Sequence, residues 1–293
     1  MIITCPHCNK EHHISDEKIP SNAKKAKCNV CGNHFQLSQG KKTTRTKLIS
    51  VCLTKGGVGK TTTAVNLSAG LAQQGYKVLL VDTDTQGQVC FMLGVEPPAG
   101  LTELLTQELG PKETIYQARD NLWILAGGRP LAGVKRLIDR QDFGGEMMLS
   151  EAFKDLQEDY DFIIFDTSPG WDSLTVNVLF YVNEILLPVS LEAMTIQGLV
   201  EFHRNIAAIQ KYRKELTIKY IVPTFMDMRV KKKTTNFLNN LKKHYHKYLC
   251  PPIRYNNSIS QTPKFGKTIF EYDPNSKGAS DYKKLVDKVA NST

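Results

Sequence analysis

No run of about 18 consecutive apolar residues occurs in this 293-residue chain, so no transmembrane helix is expected. The opening residues, MIITCPHCNKEHH, lack the apolar core of a secretory leader, which makes the cytoplasm the expected location. Acidic side chains are missing from residues 228–270, a window of 43 positions that holds ten Lys/Arg. Solvated surfaces ordinarily mix signs, so a one-sign window points to a polyanionic partner. Cysteine is sparse and unevenly placed. Four of the seven form CPHC and CNVC in the first 31 residues, while Cys52, Cys90 and Cys250 make no CxxC. An odd total without a leader argues against a disulfide framework. Internal repeats and long low-complexity segments are absent.

What is there divides into three parts. Residues 1–38 hold the clustered cysteines. Residues 39–47, QGKKTTRTK, carry no apolar side chain and read as a basic linker. Residues 48–293 are long enough for one large domain. Of the net charge of +9, six units come from residues 1–47, where nine Lys/Arg face three Asp/Glu. Cys5, Cys8, Cys28 and Cys31 follow the pattern CxxC-x19-CxxC, which fits a tetrahedral Zn²⁺ site. A segment of about 35 residues has too little core to fold alone, and a metal supplies what the core cannot. A redox pair or an iron–sulfur site is the other reading of this spacing. His7, His12, His13 and His34 lie nearby but are surplus to four thiolates.

The main part alternates short apolar runs with longer amphipathic stretches. Strands are expected at LISVCL (48–53), KVLLVDTD (77–84), LWILAGG, FIIFDTSPG, EILLPVS and IKYIVPTF. Helices are expected at 60–75, 146–157, 174–182, 195–211 and 234–248. Continuous apolar strands alternating with helices predict an α/β fold, a mostly parallel, doubly wound sheet with helices on both faces. Ligands bind such sheets beyond the carboxyl ends of the strands. After the first strand comes KGGVGKTT: Lys55, Gly56, Gly57, Val58, Gly59, Lys60, Thr61 and Thr62. Its glycines let several N–H groups aim at one anion, and the helix that follows adds its positive end. Lys60 suits the β/γ-phosphates of a nucleotide and the Thr61 hydroxyl suits Mg²⁺. The strict G-x-x-x-x-G-K-[ST] pattern fails, because Thr54 holds its first position and a second lysine, Lys55, stands where the pattern has none. A glycine-rich turn without a ligand is the bland alternative.

KGGxGK[ST] resembles the deviant phosphate loop of one P-loop NTPase branch, which includes the ParA/Soj partition ATPases, MinD and the nitrogenase iron protein. VDTDTQG (81–87) resembles the VDxDPQG element of ParA/Soj proteins, with Thr85 where proline is usual. FIIFDTSPG (162–170) resembles their second acidic strand end, and YDPNSKGASDYKKLVDKV (272–289) resembles their C-terminal signature. The resemblance covers about residues 48–289. It implies a P-loop NTPase that hydrolyses ATP with Mg²⁺; the cysteine module preceding it separately resembles the short zinc ribbons at the N-termini of some bacterial proteins. The ParA/Soj resemblance implies that Asp166 holds Mg²⁺ through water, that Asp84 orients or deprotonates the attacking water, and that Asp82 supports the metal. Lys55 would reach across a homodimer to the partner's nucleotide. Slow turnover would be stimulated by a ParB-like or other adaptor protein, and a plasmid, chromosome region or protein assembly would be the cargo.

The same resemblance assigns non-specific, nucleoid-associated DNA binding to the basic window, through Arg229, Lys231, Lys232, Lys233, Lys242, Lys243 and Arg254. Relatives often carry arginine where Tyr255 and Ser258 stand. Two alternatives come from the same superfamily. A MinD-like membrane cycler needs an apolar C-terminal helix face, yet residues 281–293 offer only Leu285, Val286 and Val289, so no membrane partner is expected. A metal-cluster carrier places cysteines inside the ATPase domain, where this chain has no CxxC.

Overall fold

In the computed structural model, which describes residues 2–5, 7–8, 10–13, 25–36, 45–190, 196–227 and 229–292, the chain falls into two units, Met1–Lys41 and Lys42–Thr293. Most of the predicted linker lies outside the described residues. Its last residue, Lys47, opens the first strand of the second unit.

The first unit contains two small antiparallel ladders. Strand β1 (Ile2–Thr4) pairs with β2 (Glu11–His13), and β3 (Lys25–Lys27) pairs with β4 (His34–Gln36). Cys5 and Cys8 follow β1, and Cys28 and Cys31 follow β3. The amide of Cys5 donates to the carbonyl of Lys10, and that of Cys28 to the carbonyl of Asn33, both at 2.9 Å. Each cysteine pair therefore sits in a closed turn.

The second unit is built on seven strands: β5 (Lys47–Val51), β6 (Val78–Asp82), β7 (Ile115–Arg119), β8 (Leu122–Leu125), β9 (Phe162–Asp166), β10 (Glu184–Ser190) and β11 (Thr217–Thr224). Their order is β11-β10-β5-β9-β6-β8-β7, and every pairing is parallel except β7 with β8. The central strands are buried on both faces. In β9, Ile163 and Phe165 enter one apolar cluster, while Phe162 and Ile164 enter the other. Period-two alternation thus serves two helical layers at once. One layer includes the helices Ser173–Tyr181 and Ile196–Gln210; the other includes Lys60–Gln73 and Lys277–Ala290.

Several elements differ from the sequence expectation, including helices it did not name, such as Leu131–Asp139 and Lys277–Ala290. Strand β7, IYQAR, was not expected: it is a half-exposed edge strand and needs no apolar run. The two-residue turn at Asp120 and Asn121, with Asn121 at φ 59°, was the available signal. The helix expected at 146–157 is broken into a 3-10 turn, Gly145–Met147, the short helix Met148–Ala152 and a second 3-10 turn, Gln157–Asp159.

Candidate nucleotide site and metal centre

Strand β9 lies between β5 and β6, so the crossover from β5 to β6 leaves three strand ends side by side. The register pairs Val51 with Asp166 and Asp166 with Asp82. From Val51 the chain turns into the glycine loop. Val58 is its buried anchor, and the Thr224 hydroxyl at the end of β11 donates to the Val58 carbonyl at 2.9 Å. Gly57 and Gly59 have φ of +72° and +83°, left-handed values that suit glycine. Gly59 is the N-cap of the helix Lys60–Gln73, which has no side-chain cap and no acidic residue in its first turn. Thr63 donates the first backbone bond of the helix, to the Gly59 carbonyl at 2.9 Å. The amides before it remain available for an anion, at the positive end of the helix.

The two lysines of the loop occupy opposite environments. Lys60 is 7% exposed, and its Nζ donates to the Lys55 carbonyl at 3.1 Å. Burial pushes its pKa down, with the Asp166 carboxylate pulling the other way. The Lys55 side chain is exposed, and among the described residues no ion pair holds it.

Asp166 is 1% exposed, and neither carboxylate oxygen has a hydrogen-bond partner. Burial drives its pKa well up, reinforced by Asp82, while Thr61 and Lys60 lower it. An unpartnered buried carboxylate facing a threonine hydroxyl and phosphate-binding amides is chemically suited to a divalent cation. Asp82 is placed differently. Its Oδ1 accepts from the Asp84 amide at 2.9 Å and its Oδ2 from the Val89 amide at 3.1 Å. Both oxygens thus hold the turn, and burial lifts its pKa to about 7 against those two amides. Gly127 closes on this turn so tightly that a Cβ there would lie 2.6 Å from the Asp82 carbonyl oxygen. Asp84 is half-exposed at the turn, its Oδ1 accepting from the Gln86 amide at 3.0 Å. Asp82 therefore shapes the loop that presents Asp84.

Sequence reasoning missed Thr224 and the brace behind the DTSPG loop. There Asp172 caps the helix Ser173–Tyr181 through the Thr175 amide at 2.8 Å and accepts from Ser168 Oγ at 2.5 Å and Lys135 Nζ at 2.6 Å. The Asp–Ser pair before an apolar run was a legible N-cap signal; the Lys135 contact had none. Above the glycine loop opens a cleft of about 630 Å³ lined by Lys55, Gly56, Gly57, Phe225, Arg229 and Lys233, among others. That volume is typical of a small-molecule site.

The residues of the basic window separate. Arg229 is exposed on the rim of this cleft and pairs with Asp227 through Nε to Oδ1 at 3.0 Å and Nη2 to Oδ2 at 2.8 Å. That pairing holds Asp227 down at about 2. Arg254 is committed to Asp281 of the C-terminal helix by two bonds of 2.7 Å, and the Asp281 side chain is only 4% exposed. Lys232, Lys233, Lys242 and Lys243 are exposed, and among the described residues none forms an ion pair. The Lys231 side chain lies outside the described residues.

In the first unit the sulfurs of Cys5, Cys8, Cys28 and Cys31 all lie within 4.8 Å of one another, with Cys5–Cys31 at 3.6 Å and Cys8–Cys28 at 3.7 Å. A tetrahedral zinc–thiolate centre with bonds of about 2.3 Å has sulfurs about 3.8 Å apart, so the set fits Zn²⁺. Amides of Val30 and Cys31 point at the Cys28 sulfur, and His12 Nε2 lies 3.3 Å from it. The Cys31 amide leads in lowering the Cys28 pKa to about 5. The remaining cysteines do not gather. Burial lifts Cys52 and Cys250 to about 12 and Cys90 to about 11.

Comparison with known proteins agrees with both units. Residues 46–218 match the model of an AAA domain family, and residues 1–36 match that of a zinc-ribbon domain. The chain is 33% identical to the sporulation initiation inhibitor protein Soj of Bacillus subtilis, over 83% of this chain and 98% of that protein. It is 32% identical to the chromosome-partitioning ATPase Soj of Thermus thermophilus, over 84% of this chain and 96% of that protein. Among solved structures, cobyrinic acid a,c-diamide synthase from Mycobacterium smegmatis with bound ADP and magnesium is similar at a TM-score of 0.71 and 29% identity. The match covers 84% of this chain and 94% of that one.

Proposed function

The chain belongs to the Soj/ParA family of partitioning ATPases and carries a zinc ribbon ahead of its ATPase domain, and from that premise we propose that it is an ATP-gated homodimer that positions a cargo on DNA. ATP is its substrate, the loop amides and Lys60 bind the phosphates, and Thr61 and Asp166 hold Mg²⁺. The ion, when bound, neutralises phosphate charge that the protein alone leaves uncompensated. Asp84 aligns the attacking water through the carboxylate oxygen that its own turn leaves open. Asp82, each of whose oxygens accepts one amide, holds that turn and supports the metal side of the site.

The observation that carries the reading is the division of labour between the lysines. Lys60 is folded into its own loop, whereas Lys55 is exposed and forms no ion pair among the described residues, beside a phosphate site that already has its cation. Two such protomers face to face place each Lys55 near the other's γ-phosphate, where charge builds in the transition state. ATP then holds the dimer together, and hydrolysis releases it. The expected result for Lys55→Ala is retained ATP binding, loss of the ATP-dependent dimer, and a fall of roughly 10²–10³-fold in partner-stimulated turnover. Light scattering with ATP and phosphate-release kinetics measure this; normal stimulated turnover in the variant would remove the trans role.

DNA is the proposed polyanion. The helix Lys231–Tyr245 begins with three lysines, has no acidic residue in its first turn, and has no side-chain cap. Cations at a helix N-terminus oppose its dipole, so this arrangement works against the helix and favours a ligand of opposite charge. Arg229 and Lys233 also line the cleft rim, which puts the basic surface within reach of the nucleotide state. Replacing Arg229, Lys231, Lys232 and Lys233 together by Glu is expected to abolish ATP-dependent DNA binding at low salt. Milder neutral replacements should flatten the salt dependence by about three to four units of log–log slope. Unchanged affinity of the Glu variant would sink the assignment. An adaptor that stimulates hydrolysis, and nucleoid association in the cell, complete the proposed cycle. The C-terminal helix has no apolar face left for a membrane, because Tyr282, Leu285, Val286 and Val289 are buried in the core.

A further inference from the structure

Phe225 is placed at a double cost to the fold. It is 41% exposed and has φ of 54°. Exposing a large apolar ring forfeits burial, and a bulky residue in the left-handed region is strained. The surroundings enforce this conformation from both sides. Thr224 is locked to the glycine loop through the Val58 carbonyl at 2.9 Å. Met226, almost fully buried, is locked by its amide to the Ile253 carbonyl and by its carbonyl to the Tyr255 amide, both at 3.1 Å. Strand β11 is buried on both faces as it reaches Thr224. Continued as a strand, it would direct residue 225 into a helical layer; the left-handed turn directs it to the cleft instead. There the ring tip meets the phosphate loop where the helix Lys60–Gln73 starts: a Cβ on Gly59 would lie 3.2 Å from Phe225 Cζ. Phe225 lines both the 630 Å³ cleft and a slot of about 20 Å³ next to Thr62, Tyr255 and Asn256.

Neither the exposure nor the strain stabilises the folded chain, and both put a flat apolar surface at the edge of the phosphate loop. We propose that Phe225 is the nucleobase-binding residue of this site, its ring stacking on the base of the nucleotide whose phosphates occupy the loop. The proposal rests on the reading of the loop as an ATP site. Base–aromatic stacking is independent of the phosphate contacts, which makes the two separable. Calorimetric titration of the full chain with Mg–ATP and with Mg–tripolyphosphate, which has no base, tests it. For Phe225→Ala the expected result is roughly tenfold or greater loss of ATP affinity, with tripolyphosphate affinity unchanged. Phe225→Tyr should keep the ATP affinity, and it remains informative if the alanine variant does not fold. Stacking is overturned if Phe225→Ala binds ATP as the wild type does, if it loses both ligands equally, or if Phe225→Tyr loses ATP binding. A wild-type protein that binds ATP no more tightly than tripolyphosphate overturns it too. Wild-type protein that binds neither ligand overturns the phosphate-loop reading, and the stacking proposal falls with it.

Discussion

Stripping zinc from the full chain with a strong chelator is expected to unfold residues 1–36 while the ATPase unit keeps its own melting transition. Among its described residues the ribbon has almost nothing else to hold it. Its strands are three residues each, and small isolated hairpins are marginal in water. Among its described side chains only Cys5 and Cys28 are buried, and both belong to the metal set. Structural zinc contributes about 10–16 kcal/mol to such a module at neutral pH. Without the ion, sulfurs 3.6–3.7 Å apart must either take up protons or repel as thiolates. The ATPase unit, by contrast, owns two apolar clusters, one on each face of its sheet. Amide NMR spectra before and after chelation, with zinc release followed by a chromogenic indicator, read the two units separately. Ribbon resonances that persist after the metal is gone would show that the four cysteines are not what folds it. Cys28→Ser should reproduce the chelator's effect on the ribbon.

The second large effect is expected at Lys60. Lys60→Ala should weaken ATP binding and lower hydrolysis by on the order of 10³-fold or more. The ammonium is nearly buried and already shares its surroundings with Asp166, whose carboxylate has no hydrogen-bond partner. Removing it leaves the buried acid facing the phosphate site with no cation of the loop's own beside it. Lys60→Arg is not expected to rescue, because a planar guanidinium is a poor replacement for a compact ammonium in a buried channel. Binding and phosphate release measured side by side distinguish this site from Lys55, whose loss should spare binding. Turnover at the wild-type level in Lys60→Ala would end the assignment of the loop as the catalytic phosphate site.

Much of this was legible in local patterns. The glycine loop, both CxxC pairs and the acid-free window are contiguous or regularly spaced, and their chemistry follows from residue type and spacing. The apolar runs were enough for the central strands, since a strand buried on both faces must be apolar throughout. Strand β7 was not, because half its surface meets water. The roles of Asp82 and Arg254 were not legible either. Both are polar residues in suggestive places, and nothing local says that Asp82 spends its oxygens on the amides of Asp84 and Val89, or that Arg254 is held by Asp281, 27 residues away.

By itself, then, the sequence determined the two units, the parallel α/β sheet, the phosphate loop with its second lysine, and the four zinc thiolates. These depend on short-range rules: periodicity, glycine placement, ligand spacing. Only the tertiary structure decided which charged groups are free to act. Strand order brings Asp166 between the ends of β5 and β6 and leaves its carboxylate without a partner, while folding binds Arg254 to Asp281 and turns Phe225 outward over Gly59. The physical reason is that availability depends on which partner the fold brings near, and a pairing between distant residues leaves no periodic trace along the chain.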